Sequence, residues 1–369
     1  MNWQAGGVRG VPWRHALAPL GWALGITLLQ HLLLGVAQGF EPRLRFETPF
    51  PGLPLHLFTT WDAEHYLKLA RVFDVFAWPP LYPLTLRALG MGMSLVQAAA
   101  VVNLLSHVAI AYLCRALVDA EPRLSGASPA LLTWLLLFWP GHDVFFAAYS
   151  ESLFLALSLG AVVAWYRDRP WVGSLLCGLA VLTRNMGMFL GLGMVVAETW
   201  AMAAQRKWSA RRLVAVSAWA LAWMAWTAWL KFVVHTDPVD ATRAWQAELL
   251  RHHVPEGDSP IGWVLEYLFL PGHKEWLFAW AAVVAGAWCW TQGLRREALY
   301  VAFFLGSHLV YLYRPFPFTR YVSVLFPVAL AVTAWLRRTT GLQFLVAGAA
   351  LLFSLQHQAR LFLMQMGEP

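Results

Sequence analysis

The sequence predicts an all-α polytopic membrane protein, a single integral membrane domain over residues 1–369. Three observations carry that prediction. Hydrophobic residues make up 59% of the chain, charged residues only 13% against the roughly 25% usual in soluble domains, and mean hydropathy is +0.53. Lys and Arg fall in short pairs between long apolar runs. The 22 Trp and 22 Phe suit many bilayer interfaces, where amphipathic rings settle at headgroup depth. The net charge of +7 therefore reads as membrane topology. A nucleic-acid surface needs its cations along one solvated face, so nucleic acid is not an expected partner.

A hydrocarbon core about 30 Å thick takes about 20 helical residues. Candidate spans are 16–38, 94–118, 128–142, 144–165, 171–183, 186–203, 212–234, 276–292, 297–313, 320–336 and 341–360. The expected architecture is thus a bundle of about 11 transmembrane helices. The first run exceeds a usual signal-peptide core, so it is expected to remain as a span. With the N-terminus cytoplasmic, the inner loops receive Arg115 and Arg123, Arg167 and Arg169, Arg206 to Arg212, Arg295 and Arg296, and Arg337 and Arg338. Every inner turn then obeys the positive-inside rule. Cys114, Cys177 and Cys289 lie in apolar runs without CxxC spacing and read as small core residues.

Two connections on the other side are long, 39–93 and 235–275. Long loops carry function more often than short ones. The weakly apolar segment 261–271 is too short to span and is expected along the interface. Within the first loop, Tyr66, Leu69, Ala70 and Phe73 share one helical face while Glu64, Lys68 and Arg71 share the other. An amphipathic helix at the membrane surface follows. Asp62 opens it and projects to the side of Tyr66; alone, it fits an N-cap as well as a catalytic base. The prolines of 79–83 then fix a turn before a short helix, which would hold Tyr82 beside Asp62.

Charges at membrane depth are rare and usually paired or functional. Glu151 is expected about two turns into the helix 144–165, roughly 10 Å below the outer boundary. Arg184 and Asn185 occupy the turn between 171–183 and 186–203, on the same side. Glu151 and Arg184 are expected as neighbours, in a structural ion pair or a shared substrate site. Arg314 and Arg320, with Tyr321, occupy another outer connection. Forked guanidinium donors match phosphate, although interfacial anchoring accounts for them too. His31, Asn103, His107 and His308 sit singly on apolar helices, where interhelical hydrogen bonding is expected. No HExxH, P-loop, GxGxxG or GxSxG element is present, and no metal or cofactor is expected.

Trp61-Asp62 with Tyr66 and Ala70, the turn Pro80-Leu81-Tyr82-Pro83-Leu84, Tyr149-Ser150-Glu151-Ser152-Leu153-Phe154, Leu182-Thr183-Arg184-Asn185, and Arg320-Tyr321 with Phe326-Pro327 together resemble the PIG-V family of GT-C membrane glycosyltransferases. His65 and Asn185 depart from the family's usual aromatic and proline. The resemblance implies an inverting transferase, a mannosyltransferase in the first instance. Its donor would be a polyprenyl- or dolichyl-phosphate-linked sugar and its acceptor a glycolipid or protein hydroxyl, met among membrane lipids on the non-cytoplasmic face. Asp62 would be the catalytic base. Trp61, His65, Tyr66, Tyr82, Glu151, Arg184, Asn185, Arg314, Arg320 and Tyr321 would bind substrate. Compact loops point to a bacterial plasma membrane, with the endoplasmic reticulum the location in a eukaryote. The competing reading is a transporter or flippase of an anionic or lipid-linked substrate, for which paired halves with interrupted helices are the usual sign.

Overall fold

The computed structural model describes residues 13–40, 46–47, 57–58, 62–72, 78–138, 145–236, 275–311 and 318–364. Its helices are α1 (Trp13–Phe40), α2 (Asp62–Arg71), α3 (Leu81–Leu89), α4 (Leu95–Ala120), α5 (Pro129–Leu137), α6 (Glu151–Tyr166), α7 (Pro170–Thr183), α8 (Gly187–Gln205), α9 (Ala210–Ser217) and α10 (Ala220–Trp229). After these come α11 (Glu275–Thr291), α12 (Arg295–Tyr311), α13 (Phe318–Ser323), α14 (Phe326–Trp335) and α15 (Thr340–Met364). A minimal antiparallel ladder joins β1 (Phe46–Glu47) to β2 (Leu57–Phe58).

Local chemistry sets most boundaries. Ser94 accepts from the Gln97 N–H while the Gln97 side chain accepts from the Ser94 N–H, a reciprocal cap that starts α4. The Ser128 and Ser209 hydroxyls cap α5 and α9, and prolines open α5, α7 and α14, where the missing N–H costs nothing. α4 packs against α1, α5 and α6; α6 packs on α7, α7 on α8, α8 on α12, and α11 on both α12 and α14. The buried side chains of these helices form one continuous apolar core.

The apolar runs became helices in the expected order, but several are shorter or broken. Two described helices, Leu95–Ala120 and Gly187–Gln205, are long and apolar enough to cross a bilayer, and a third span arises if Ala210–Ser217 and Ala220–Val234, bent by 47°, count as one. The expected count of about 11 transmembrane helices is therefore not confirmed among the described residues. The run 320–336 divides into α13 and α14, and α5 ends at Leu137. Of the second long connection, 237–274 lie outside the described residues, as does the expected interfacial segment 261–271.

A second correction concerns depth. Glu151 is the first residue of α6, not two turns inside it. In the preceding chain, 145–150, which is not α-helical, α4 satisfies two carbonyls from the side. Asn103 Nδ2 donates to the Ala147 carbonyl at 2.7 Å, and His107 Nε2 donates to the Phe145 carbonyl at 3.1 Å, which the Ser152 hydroxyl also reaches at 3.1 Å. His107 Nδ1 then accepts from the Thr27 hydroxyl on α1 at 3.0 Å. Asn103 and His107 thus make interhelical hydrogen bonds, as their isolation on an apolar helix suggested.

The loops assigned by charge to one face do meet at one end of the bundle. Arg212 pairs with Glu198 and, at 2.7 Å, with Asp168; Arg296 reaches the second Glu198 oxygen at 3.3 Å. Tyr166 donates to Glu297 at 2.7 Å, and Arg123 donates to the carbonyl of Gly293 at 3.1 Å. Gly293 takes φ +74° between α11 and α12, a conformation that other residues rarely adopt.

Candidate active site

At the opposite end of α6, 16 residues and roughly 22 Å away, a different polar group assembles. Its centre is Glu151, fully buried where α6 begins, so that its carboxylate lies at the positive end of the helix dipole. Oxygen Oε1 receives Arg320 through Nε at 2.7 Å and Nη2 at 2.7 Å, and Arg184 through Nη1 at 2.9 Å. Oε2 accepts no hydrogen bond among the described residues. Among the described residues, two guanidiniums against one carboxylate leave the cluster one positive charge in excess.

Each arginine is delivered by a break in helix. Arg184 follows α7 at a tight corner into α8: a Cβ on Gly187 would come within 2.5 Å of the Val181 nitrogen, so only glycine permits so close a turn. Arg320 sits on the short α13 before the chain bends into α14. Aromatic faces accompany both cations, Arg320 4.6 Å from the Tyr149 ring centroid and Arg184 5.9 Å from that of Tyr321.

Ser150 links this cluster to α2, in the first long connection. Its hydroxyl accepts from Arg184 Nη1 at 3.1 Å and shares a 2.9 Å hydrogen bond with the Tyr66 hydroxyl of α2. Tyr66 is buried, with its ring edge-on to Tyr82 at 5.2 Å and tilted against Trp78 and Tyr149 at 6.1 and 6.5 Å. His65, exposed, stacks on Trp78 at 5.2 Å. Tyr82, on α3, is fully buried and its hydroxyl has no hydrogen-bond partner among the described residues.

Of the residues singled out by sequence, Tyr66, Tyr82, Glu151, Arg184, Arg320 and Tyr321 converge here, with His65 at the margin. Asn185 is exposed at the corner, where its backbone carbonyl accepts from the Met188 N–H at 3.0 Å. Asp62 begins α2, one turn before Tyr66; its side chain lies outside the described residues, as do Trp61 and Arg314. Ser150, Tyr149 and Trp78 were not in the expected set. Ser150 stands next to Glu151, the buried acid at the centre of the cluster, which was the available signal.

This arrangement of helices has a likeness among solved structures. The likeness is to the crystal structure of ArnT from Cupriavidus metallidurans in the apo state, with a TM-score of 0.50 and 14% identity over 89% of this chain. The chain spans 62% of the ArnT chain's length. No family model matches the sequence, and no curated protein matches it.

Proposed function

We propose that this protein is an inverting glycosyltransferase that moves a sugar from a polyprenyl phosphate to a hydroxyl acceptor at the membrane surface. The observation that carries the reading is the buried Glu151–Arg184–Arg320 cluster, cationic in excess and hydrogen-bonded through Ser150 to the helix that Asp62 opens. In the reaction, the acceptor oxygen bonds to the anomeric carbon as the bond from that carbon to the phosphate oxygen breaks. Asp62 takes the acceptor's proton, and the lipid phosphate leaves as an anion toward Arg184 and Arg320. A phosphate needs little protonation to depart, so one base and fixed positive charge suffice. Glu151 holds both guanidiniums in place; without it they would repel each other and turn to solvent.

Mannose is the first sugar to test, on the motif resemblance, and the non-cytoplasmic face is the side on which the two long connections and this cluster would lie. The decisive experiment incubates purified protein with radiolabelled polyprenyl-phosphate mannose and identifies the labelled product. Wild-type protein is expected to transfer label, and Asp62→Asn, still folded, to lose about 10²- to 10⁴-fold in rate. Full activity of the Asn variant contradicts the role of Asp62. Uptake of substrate into proteoliposomes with no covalent product would turn the assignment to a transporter.

A further inference from the structure

Within this site the Tyr82 hydroxyl on α3 and Oε2 of Glu151 on α6 are buried polar atoms with no hydrogen-bond partner among the described residues. Both residues are 0% exposed, so neither atom is compensated by bulk solvent. A buried polar group that forgoes its hydrogen bond is costly, and natural interiors rarely tolerate one. The two atoms belong to one neighbourhood, since Tyr82 lies edge-on to Tyr66, and Tyr66 shares the Ser150 hydroxyl with Arg184, itself 2.9 Å from Glu151. Burial, Tyr66 and the Glu151 carboxylate together push the Tyr82 phenol well above its ordinary range, so it keeps its proton. Tyr82 is therefore a hydrogen-bond donor, and Glu151 Oε2 is an acceptor only.

A group that satisfies both must accept from one and donate to the other. A sugar hydroxyl does this with a single oxygen, as does a buried water, which would give no preference for a sugar-bearing lipid; a phosphate oxygen at neutral pH can accept from Tyr82 but has no proton for Glu151, and a second carboxylate would repel it. We infer that Tyr82 and Glu151 Oε2 recognise a hydroxyl of the sugar carried by the donor lipid, making Tyr82 a specificity-determining residue. The division of labour is then spatial: Oε1 of Glu151 orders the cations that meet phosphate, while Oε2 faces the polyol. A bare lipid phosphate would fill only the first half of the site. This rests on the transferase reading for the identity of the ligand, and its test is built to fail separately.

The test measures binding and transfer side by side, using wild-type full-length protein and Tyr82→Phe, which keeps the ring and removes only the hydroxyl. Binding of polyprenyl phosphate is compared with that of polyprenyl-phosphate mannose. Wild-type protein is expected to prefer the sugar-bearing lipid, and Tyr82→Phe to lose about 10-fold of that preference while binding the bare phosphate unchanged. Transfer from monodeoxy donors supplies the second arm. For one deoxy position the loss caused by Tyr82→Phe should vanish, because the partner oxygen is already gone. Equal binding of the two lipids by wild-type protein overturns the assignment, as does a Tyr82→Phe loss that is the same on every deoxy donor. Preference for the sugar lipid without any transfer would remove the proposed reaction and leave this assignment standing.

Discussion

The two ends of the bundle handle buried acid in opposite ways. At the α8–α9 end, Glu198 spends both carboxylate oxygens, one on Arg212 and one on Arg296, and Asp168 adds a further negative charge to Arg212. Charges there are matched, and much of the network is open to solvent, with the Asp168 side chain 73% and that of Arg212 36% exposed. At the α6 start, Glu151 gathers two arginines on one oxygen and leaves the other idle, with the carboxylate almost wholly buried. A closed network ties helices together; an under-filled one with surplus charge fits an anionic guest. Position in the fold does not separate the two ends, since both are helix termini lined by Arg. Stoichiometry does.

That contrast can be broken by substitution. The largest effect is expected for Glu151→Gln, which removes the counter-charge from two largely buried guanidiniums: about 3–5 kcal/mol of stability, read by thermal unfolding in detergent, with transfer lost as well. If the variant melts like wild type, the cluster is not the electrostatic keystone described here. Ser150→Ala should cost only about 1 kcal/mol of stability. Its transfer rate should nevertheless fall roughly 10- to 100-fold, because α2 is no longer registered against Arg184. Restoration of the rate by Ser150→Thr, which returns the hydroxyl, separates positioning from general damage. Glu198→Gln, at the other end, is expected to cost about 1–3 kcal/mol while leaving the rate per folded molecule within a factor of two. Equal losses of rate at Glu198 and Glu151 would erase the distinction between the ends. Arg115→Ala breaks an exposed i,i+4 pair with Asp119, 40% and 54% exposed, and should change neither stability by more than about 0.5 kcal/mol nor transfer.

Much of this was legible in the sequence where the bilayer does the selecting. Apolar runs such as 94–118 and 186–203 became α4 and α8 with nearly the same limits, because a stretch of that length has few other folds. Glu151, Arg184 and Arg320 stood out because ionised groups are rare in such a chain, and the structure puts them in contact. Reading failed where one helix decides the shape of another. Nothing local to 145–150 forbids helix; the partners of two of its carbonyls come from Asn103 and His107, more than thirty residues earlier in the chain. Bends such as that between α9 and α10 likewise have no proline or glycine to announce them. Tyr149 and Ser150 were visible as part of a motif but not as site residues, since an aromatic and a hydroxyl are ordinary at a helix entrance.

The side-chain hydrogen bonds from α4 to the 145–150 stretch carry a consequence for how this chain can vary. Along most of its buried face, α4 could exchange one hydrocarbon for another of similar size at little cost. At Asn103 and His107 it cannot, because an aliphatic replacement at Asn103 would strand the carbonyl of Ala147 in an oily interior, and one at His107 would take the acceptor from the Thr27 hydroxyl and leave the Phe145 carbonyl to Ser152 alone. Two polar side chains on an otherwise greasy rod thus act as a jig, fixing where α6 is allowed to start and, through that, how deep the acid beside the arginines is seated.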